Sequence, residues 1–278
     1  MINPGRFLRT IRYLKMRQVA ARVAYCFSRP NPDPAPAPSL RQPVQKLIQP
    51  VSKLPTMLGP TQFRFLNQEH DIRDCGWDNP RVDRLWRYHL HYFDDLNATG
   101  SSERRQWHID LINRWIAENP PGVGTGWEPY PTSLRLVNWI KWFLTDAEPN
   151  TQWLVSLAHQ ARWITTRIEW HLLANHLLAN AKALIFAGLF FRGDEANRWL
   201  DQGINILESQ IAEQILADGG HFERSPMYHA IVLEDLLDLI NLSDTFCISD
   251  LRQRLAGCVI KMIRWLRCMS HPDGKIGL

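Results

Sequence analysis

Tyr228 stands where a side chain could move a proton. It belongs to Asp218-Gly219-Gly220-His221-Phe222-Glu223-Arg224-Ser225-Pro226-Met227-Tyr228-His229, which is too polar to be a plain connector between two amphipathic segments. Ser225 followed by Pro226 reads as a helix start, with serine as N-cap and proline at the first helical position, where its missing N–H costs nothing. Tyr228 then falls in the first turn. The positive end of the helix favours an anion there, and Arg224 stands just upstream. Both features would prepare a phenol for proton transfer. A tyrosine packed on a core explains the residue equally well in isolation; its company shifts the balance.

Two further groups carry complementary chemistry. Asn175-His176 has His171 one turn before it and Asn180 one turn after. An Asn amide at a helix start can donate to a carboxylate, and a histidine exchanges protons near neutrality. A capping Asn followed by a packed His is the plainer account of that pair. In Gly126-Trp127-Glu128-Pro129-Tyr130-Pro131-Thr132-Ser133-Leu134-Arg135, an aromatic platform suited to a sugar face accompanies a guanidinium that can fork onto a carboxylate. Here the plainer account is a capped helix start with Arg135 in a surface ion pair. A fourth group, LWRYHLHYFDDL, places His89 and His91 two residues apart on a helix, where they share no face, so no metal site is expected. No Ser-His-Asp arrangement and no phosphate-cradling glycine loop is legible, and His271 and Asp273 read as turn residues.

The elements that must position these groups are helical. Apolar residues recur at three and four positions, predicting helices near 82–97, 102–118, 132–146, 150–169, 175–191, 195–216, 225–242 and 248–269. Tight connections at 98–101, 147–149, 192–194 and 243–247 make successive helices antiparallel hairpins. Every second helix then points the same way, so those starting near 82, 132, 175 and 225 begin on one rim. The longer, more polar connections gather at that rim, which is where a scaffold of this kind carries function. Upstream, residues 4–27 read as one amphipathic helix and 28–43 as an extended proline-rich linker. Residues 44–80 are irregular, with a short strand at 63–66. The expected division is a helix and linker over 1–60 and a helical domain over 61–278.

Composition narrows the class. The 278 residues carry a net charge of +4 with Lys and Arg dispersed, which suits an acidic substrate, and no nucleic-acid-binding motif is present. The five scattered cysteines lack metal spacing and read as reduced thiols. No metal or other cofactor is expected. The basic N-terminus has no unbroken apolar core and no small-residue cleavage site, so no secretory leader is legible. The sequence by itself points to the cytoplasm, with the periplasm or export also open. The most apolar run, 183–191, is too short to span a bilayer.

Four motifs in this order, LWRYHLHYFDDL, GWEPYPTSLRLVNWIKWF, ANHLLANAKALIFAGLFF and GGHFERSPMYHAIVLEDLLDL, resemble the heparinase II/III family of polysaccharide lyases from about residue 60 onward. The resemblance implies an all-α, incomplete (α/α) toroid of antiparallel helical hairpins, here with an N-terminal helical appendage. It implies β-elimination on a uronic-acid polysaccharide, with Tyr228 as proton donor and acceptor. Asn175 or His176 would neutralise the uronate carboxylate. Arg224, Glu223, Trp127, Tyr130, Arg135 and His229 are the expected substrate contacts. In that family the chain continues into a β-sandwich that supplies a further histidine. This sequence stops at Leu278, so a fragment or a shortened protein is expected, with one wall of the cleft missing.

The chemistry fits the residues on its own terms. The C5 proton of a uronate becomes removable once its carboxylate is neutralised, which an Asn donor and a cation achieve without a metal. A base takes that proton and an acid protonates the departing 4-oxygen. Two other classes compete. One is a toroid that binds an acidic glycan without turning it over. The other is a glycoside hydrolase, which needs two opposed carboxylates, with Glu128 and Glu223 the rim candidates.

Overall fold

The computed structural model describes residues 15–276. Among these, ten α-helices dominate: α1 (Met16–Phe27), α2 (Ile72–Cys75), α3 (Arg84–Tyr92), α4 (Arg105–Glu118), α5 (Pro129–Thr145), α6 (Thr151–Thr166), α7 (Ala174–Phe190), α8 (Asp194–Gln214), α9 (Pro226–Thr245) and α10 (Ser249–Met269). A small antiparallel hairpin, β1 (Gln62–Phe65) with β2 (Gln68–Asp71), precedes α2. Its two turn residues, Leu66 and Asn67, both have positive φ (53° and 60°), as a type I′ hairpin turn requires.

Helices α3 to α10 are the eight that the apolar spacing predicts. α7 lies at the centre, and every residue from Leu177 to Phe190 is buried, as in a helix packed on all sides. Side-chain links tie it to α5 and α9, and α5 in turn to α3. Asn180 Nδ2 donates to Ser133 Oγ of α5 at 3.0 Å. Lys182 Nζ reaches Asp235 and Asp238 of α9 at 2.7 and 2.5 Å, and Lys141 of α5 also pairs with Asp238. Asn138 Nδ2 of α5 donates to the Tyr92 carbonyl at the end of α3 at 2.9 Å. Each link joins residues at similar depth along their helices, so α3, α5, α7 and α9 run in parallel and start on one rim. The even-numbered helices from α4 to α10 return outside them, giving an incomplete (α/α) toroid of antiparallel hairpins.

The α7–α8 hairpin depends on two glycines. A Cβ on Gly188 would lie 2.6 Å from the Leu200 backbone nitrogen, and one on Gly203 would lie 2.9 Å from the Ala181 carbonyl oxygen. The two backbones therefore approach more closely than any side chain allows.

Boundaries differ from expectation for identifiable reasons. α5 begins three residues early, because Pro129 and Pro131 occupy a first turn in which no N–H donor is needed. α3 ends at Tyr92 because Phe93 turns left-handed (φ 60°), and a 3₁₀ turn follows at Asp94–Asn97. The 28–43 segment is extended, as its prolines require, but it is tied to the toroid. Arg162 donates to the carbonyls of Ala35 and Pro36 at 2.6 and 2.8 Å. Further along, Arg41 N reaches Phe190 O, Val44 N reaches Thr245 O, Asn241 clasps both the N–H and carbonyl of Ile48, and Thr99 N reaches Lys53 O. These partners lie at or just beyond the far ends of α7, α9 and α3, so residues 39–53 form a strap across the rim opposite the helix starts.

α1 lies on the outside and none of its residues is buried. The expected helix start at residue 4, with Phe7, Ile11 and Leu14, lies outside the described residues. No helix among the described residues is long and apolar enough to cross a membrane.

Candidate functional site

The starts of α3, α5 and α7, the 169–172 turn and the end of α1 surround a cavity of about 630 Å³ on the predicted rim. Tyr88, Glu128, Tyr130, Glu169 and His176 line it, with Tyr25 on the α1 side. The entry to α7 shapes its floor. Leu173 and Ala174 both have positive φ (64° and 50°), a conformation that costs roughly 1–3 kcal/mol per residue and must be held by its surroundings. Asn180 holds it. Its Oδ1 accepts from Glu169 N at 2.9 Å, while its Nδ2 donates to Ser133 Oγ and, at 3.2 Å, to Glu169 Oε2. The Glu169 carbonyl accepts from the N–H groups of Leu172 and Leu173. So fixed, the buried Glu169 carboxylate places Oε1 3.1 Å from His176 Nδ1, leaving Nε2 for a ligand.

Tyr130 packs its ring 4.4 Å from that of His176. Burial, reinforced by the charge of Asp235, pushes its phenol up to about 12, so it stays protonated and can donate. Glu128 accepts from Tyr88 Oη, and its two oxygens accept from Arg84 Nη2 at 2.9 and 2.7 Å. Burial and then the Glu128 carboxylate raise the Tyr88 phenol well above its ordinary range.

Tyr228 sits as the cap signature predicts. Pro226 opens α9, and Ser225 Oγ accepts from Tyr228 N at 3.5 Å. The preceding turn is tight: Arg224 is left-handed (φ 54°), and its N–H returns to the His221 carbonyl at 2.9 Å. Gly219 is needed there, since its φ is 91° and a Cβ would lie 2.5 Å from the Lys261 carbonyl carbon. Tyr228 is half-buried, with the His221 ring stacked 6.3 Å away. His221 is buried, its Nε2 faces Gln214 Oε1 at 3.1 Å, and its Nδ1 has no partner among the described residues. Burial, with the nearby His229, pushes its imidazole down to about 4.

Tyr130, Asn175, His176 and Tyr228 therefore occupy the first turns of three parallel helices on one rim. Glu223 and Arg224 are exposed beside Tyr228. Three expected substrate contacts are placed elsewhere, because each is enclosed by the core. Trp127 is buried against Trp115, with Nε1 donating to Asn119 O at 3.2 Å, so it offers no face to a sugar. Arg135 is fully buried over the Trp115 ring at 3.8 Å and donates to Gln160 Oε1 and Gly126 O at 3.0 and 2.8 Å. It pins the 125–127 turn that presents Glu128 and Tyr130. His229 is buried, hydrogen-bonded to Met262 O at 3.0 Å and stacked on Trp265. Conversely, sequence reasoning passed over Glu169 and Tyr25. Glu169 left a faint trace, a carboxylate seven residues before a histidine across a helix start; Tyr25 left none. Among the described residues no three His, Cys, Asp or Glu side chains gather as metal ligands would.

The family model for the heparinase II/III N-terminus matches residues 11–276. The chain belongs to that family. Among curated relatives, the heparin-sulfate lyase of Pedobacter heparinus is 26% identical over 264 residues, covering 84% of this chain and 38% of the relative. That of Bacteroides stercoris is 35% identical over 101 residues, or 36% and 15% of the two chains. The fold of this heparinase II/III-type chain is similar to the crystal structure of heparan sulfate lyase HepC from Pedobacter heparinus. The TM-score is 0.56 at 22% identity, covering 94% of this chain and 44% of that one. A heparinase III structure aligns at TM-score 0.58 and 21% identity, covering 92% and 46%. The chain thus spans less than half the length of each of these proteins.

Proposed function

We propose that this chain is the toroid of a polysaccharide lyase that cleaves a uronic-acid polysaccharide by β-elimination. The observation that carries this reading is the position of Tyr228 in the first turn of α9, on the same rim as Asn175 and His176 at the start of α7, within a heparinase II/III family chain. Tyr228, as phenolate, takes the C5 proton. The C5–H electron pair forms the C4–C5 double bond as the C4–O bond breaks, and the phenol returns its proton to the departing oxygen. Asn175 donates to the uronate carboxylate as it gains enolate character, and His176 is the alternative group for that task. Arg224 and Glu223 are the exposed contacts proposed for substrate beside Tyr228. The names of the relatives make heparan sulfate the first polymer to test.

A hydrolase is disfavoured because Glu128 is already engaged by Arg84 and Tyr88, and Glu223, the other candidate carboxylate, is not among the described residues that line the cavity. The competing reading is a toroid that binds acidic glycan without cleaving it. Incubation with heparan sulfate and other uronate polymers separates the three. A lyase forms an ultraviolet-absorbing unsaturated end, a hydrolase forms reducing ends without it, and a binding protein forms neither. Placed in a full-length lyase context, Tyr228→Phe keeps the ring and removes the group that carries the proton, so turnover should drop by roughly 100-fold or more with glycan binding retained. Near-normal elimination by Tyr228→Phe would sink the assignment.

A further inference from the structure

Lys and Arg are spread through this chain, but Asp and Glu are not. Residues 1–32 hold seven basic side chains and no acidic one, whereas the remainder holds 25 basic and 28 acidic. The N-terminal stretch is therefore +7 on a body of −3.

α1 is the described helix of that stretch, and it presents its apolar side to water. The half-buried Gln18, Ala21 and Tyr25 face the toroid. Polar and cation–π contacts hold that side. Lys15 Nζ reaches Glu213 at 2.7 Å, Arg17 lies 3.8 Å over the Trp170 ring, and Arg167 lies 3.6 Å over the Tyr25 ring. Met16, Ala20, Val23 and Phe27 follow one another at spacings of four, three and four, which puts them on one stripe of the helix. Tyr25 is two positions from both Val23 and Phe27, so the stripe points away from the toroid. Met16, Val23 and Phe27 are 81%, 55% and 82% exposed, and no residue of α1 is buried. Arg22 and Arg29 are exposed as well.

A continuous apolar stripe left in water marks an interaction surface, and the charge around it selects the partner. Two α1 helices paired about a two-fold axis would bring two +7 stretches together, which opposes self-association. A soluble polyanion would answer the basic side chains and leave Met16, Val23 and Phe27 in water. A bilayer with anionic headgroups answers both, because the stripe enters the acyl boundary while Lys and Arg stay at headgroup level.

We propose that α1 is a membrane-surface anchor, with the stripe from Met16 to Phe27 bedded in an anionic lipid bilayer and the toroid carried outside it. The inference goes beyond the lyase reading and does not depend on it.

Co-sedimentation of the 278-residue protein with vesicles of phosphatidylcholine and phosphatidylglycerol in equal parts tests it, with vesicles of phosphatidylcholine alone as the comparison. The protein should pellet with the first and not the second, and less so as salt is raised. Val23→Ser combined with Phe27→Ser should weaken partition about 10-fold or more. The thermal midpoint should stay unchanged, because both side chains are exposed. A parent that stays in the supernatant with the anionic vesicles overturns the proposal. Equal pelleting with phosphatidylcholine alone removes the anionic class. Equal pelleting of the serine variant also overturns it, leaving only attraction between basic side chains and a polyanion. A dimer in sedimentation velocity without vesicles, dissociated by the same two substitutions, would assign the stripe to a second copy of the chain instead.

Discussion

His176 Nδ1 and Glu169 Oε1 lie 3.1 Å apart, brought together by a turn that contains two consecutive left-handed residues. The carboxylate fixes which imidazole nitrogen faces inward, and Asn180 in turn fixes the carboxylate. Glu169→Gln keeps the shape and removes the charge. A charge-assisted hydrogen bond contributes about 1.5–3 kcal/mol, so kcat/KM on a uronate polymer should fall on the order of 10- to 100-fold if His176 works in the site. Unchanged kinetics would show that the pair serves only the α7 entry.

Asp95 should govern acid stability. Its carboxylate accepts from Thr56 N, Met57 N, Arg104 Nε and His108 Nε2 at 2.7, 3.1, 2.8 and 2.8 Å. Burial acts to raise it, but the hydrogen bonds from His108, Arg104 and the two backbone N–H groups overcome this and hold it down at about 2. A depressed folded-state value means stability that is complete above about pH 4 and lost as pH falls through about 2. Asp95→Asn should cost about 2 kcal/mol at pH 7 by urea denaturation, and the gap to the parent should close between pH 4 and pH 2. A gap independent of pH would contradict the assignment.

Gly203→Ala should loosen the α7–α8 hairpin. The added methyl meets the Ala181 carbonyl oxygen at 2.9 Å and Ile185 Cγ1 at 2.8 Å, and backbone cannot step aside as a side-chain tip can. Overpacking of this kind costs about 1–3 kcal/mol, against a helix-propensity gain of about 1 kcal/mol. A fall in the thermal midpoint is expected; a rise would mean that the two helices can separate freely.

His221 beside Tyr228 should remain neutral through the physiological range. Its folded value of about 4 lies below the ordinary imidazole value, so the stability it contributes is complete above about pH 6.5 and is lost as pH falls through about 4. The C–H resonances of its ring, followed by NMR against pH, should move near pH 4. A midpoint at 6 or above would show that water reaches Nδ1.

Local rules reached as far as local chemistry extends. Ser225 and Pro226 placed Tyr228 correctly because a cap and a first-turn proline act within a few residues. The alternation of tight and long connections placed the starts of α3, α5, α7 and α9 on one rim. Burial is settled by distant segments, and there the reading failed. Arg135 looked like a surface guanidinium, yet α5 is enclosed on nearly every side. Trp127 looked like a sugar platform, yet Trp115 and Trp163 pack against it. Tyr25 reaches the cavity through Arg167, 142 residues away, a meeting that no spacing rule registers.

The strap over the far rim also sets an order of events during synthesis. Ile48 finds its partner in Asn241, 193 residues later. At about 5–20 residues per second, roughly 10–40 s pass after Ile48 is made before Asn241 exists. Through that interval the backbone N–H groups of Val44 and Ile48 wait without Thr245 and Asn241, their acceptors near the end of α9. The toroid is therefore closed from behind by its earliest-made residues acting last, and a ribosome stalled before Asn241 would hold a chain whose latch has nothing to catch.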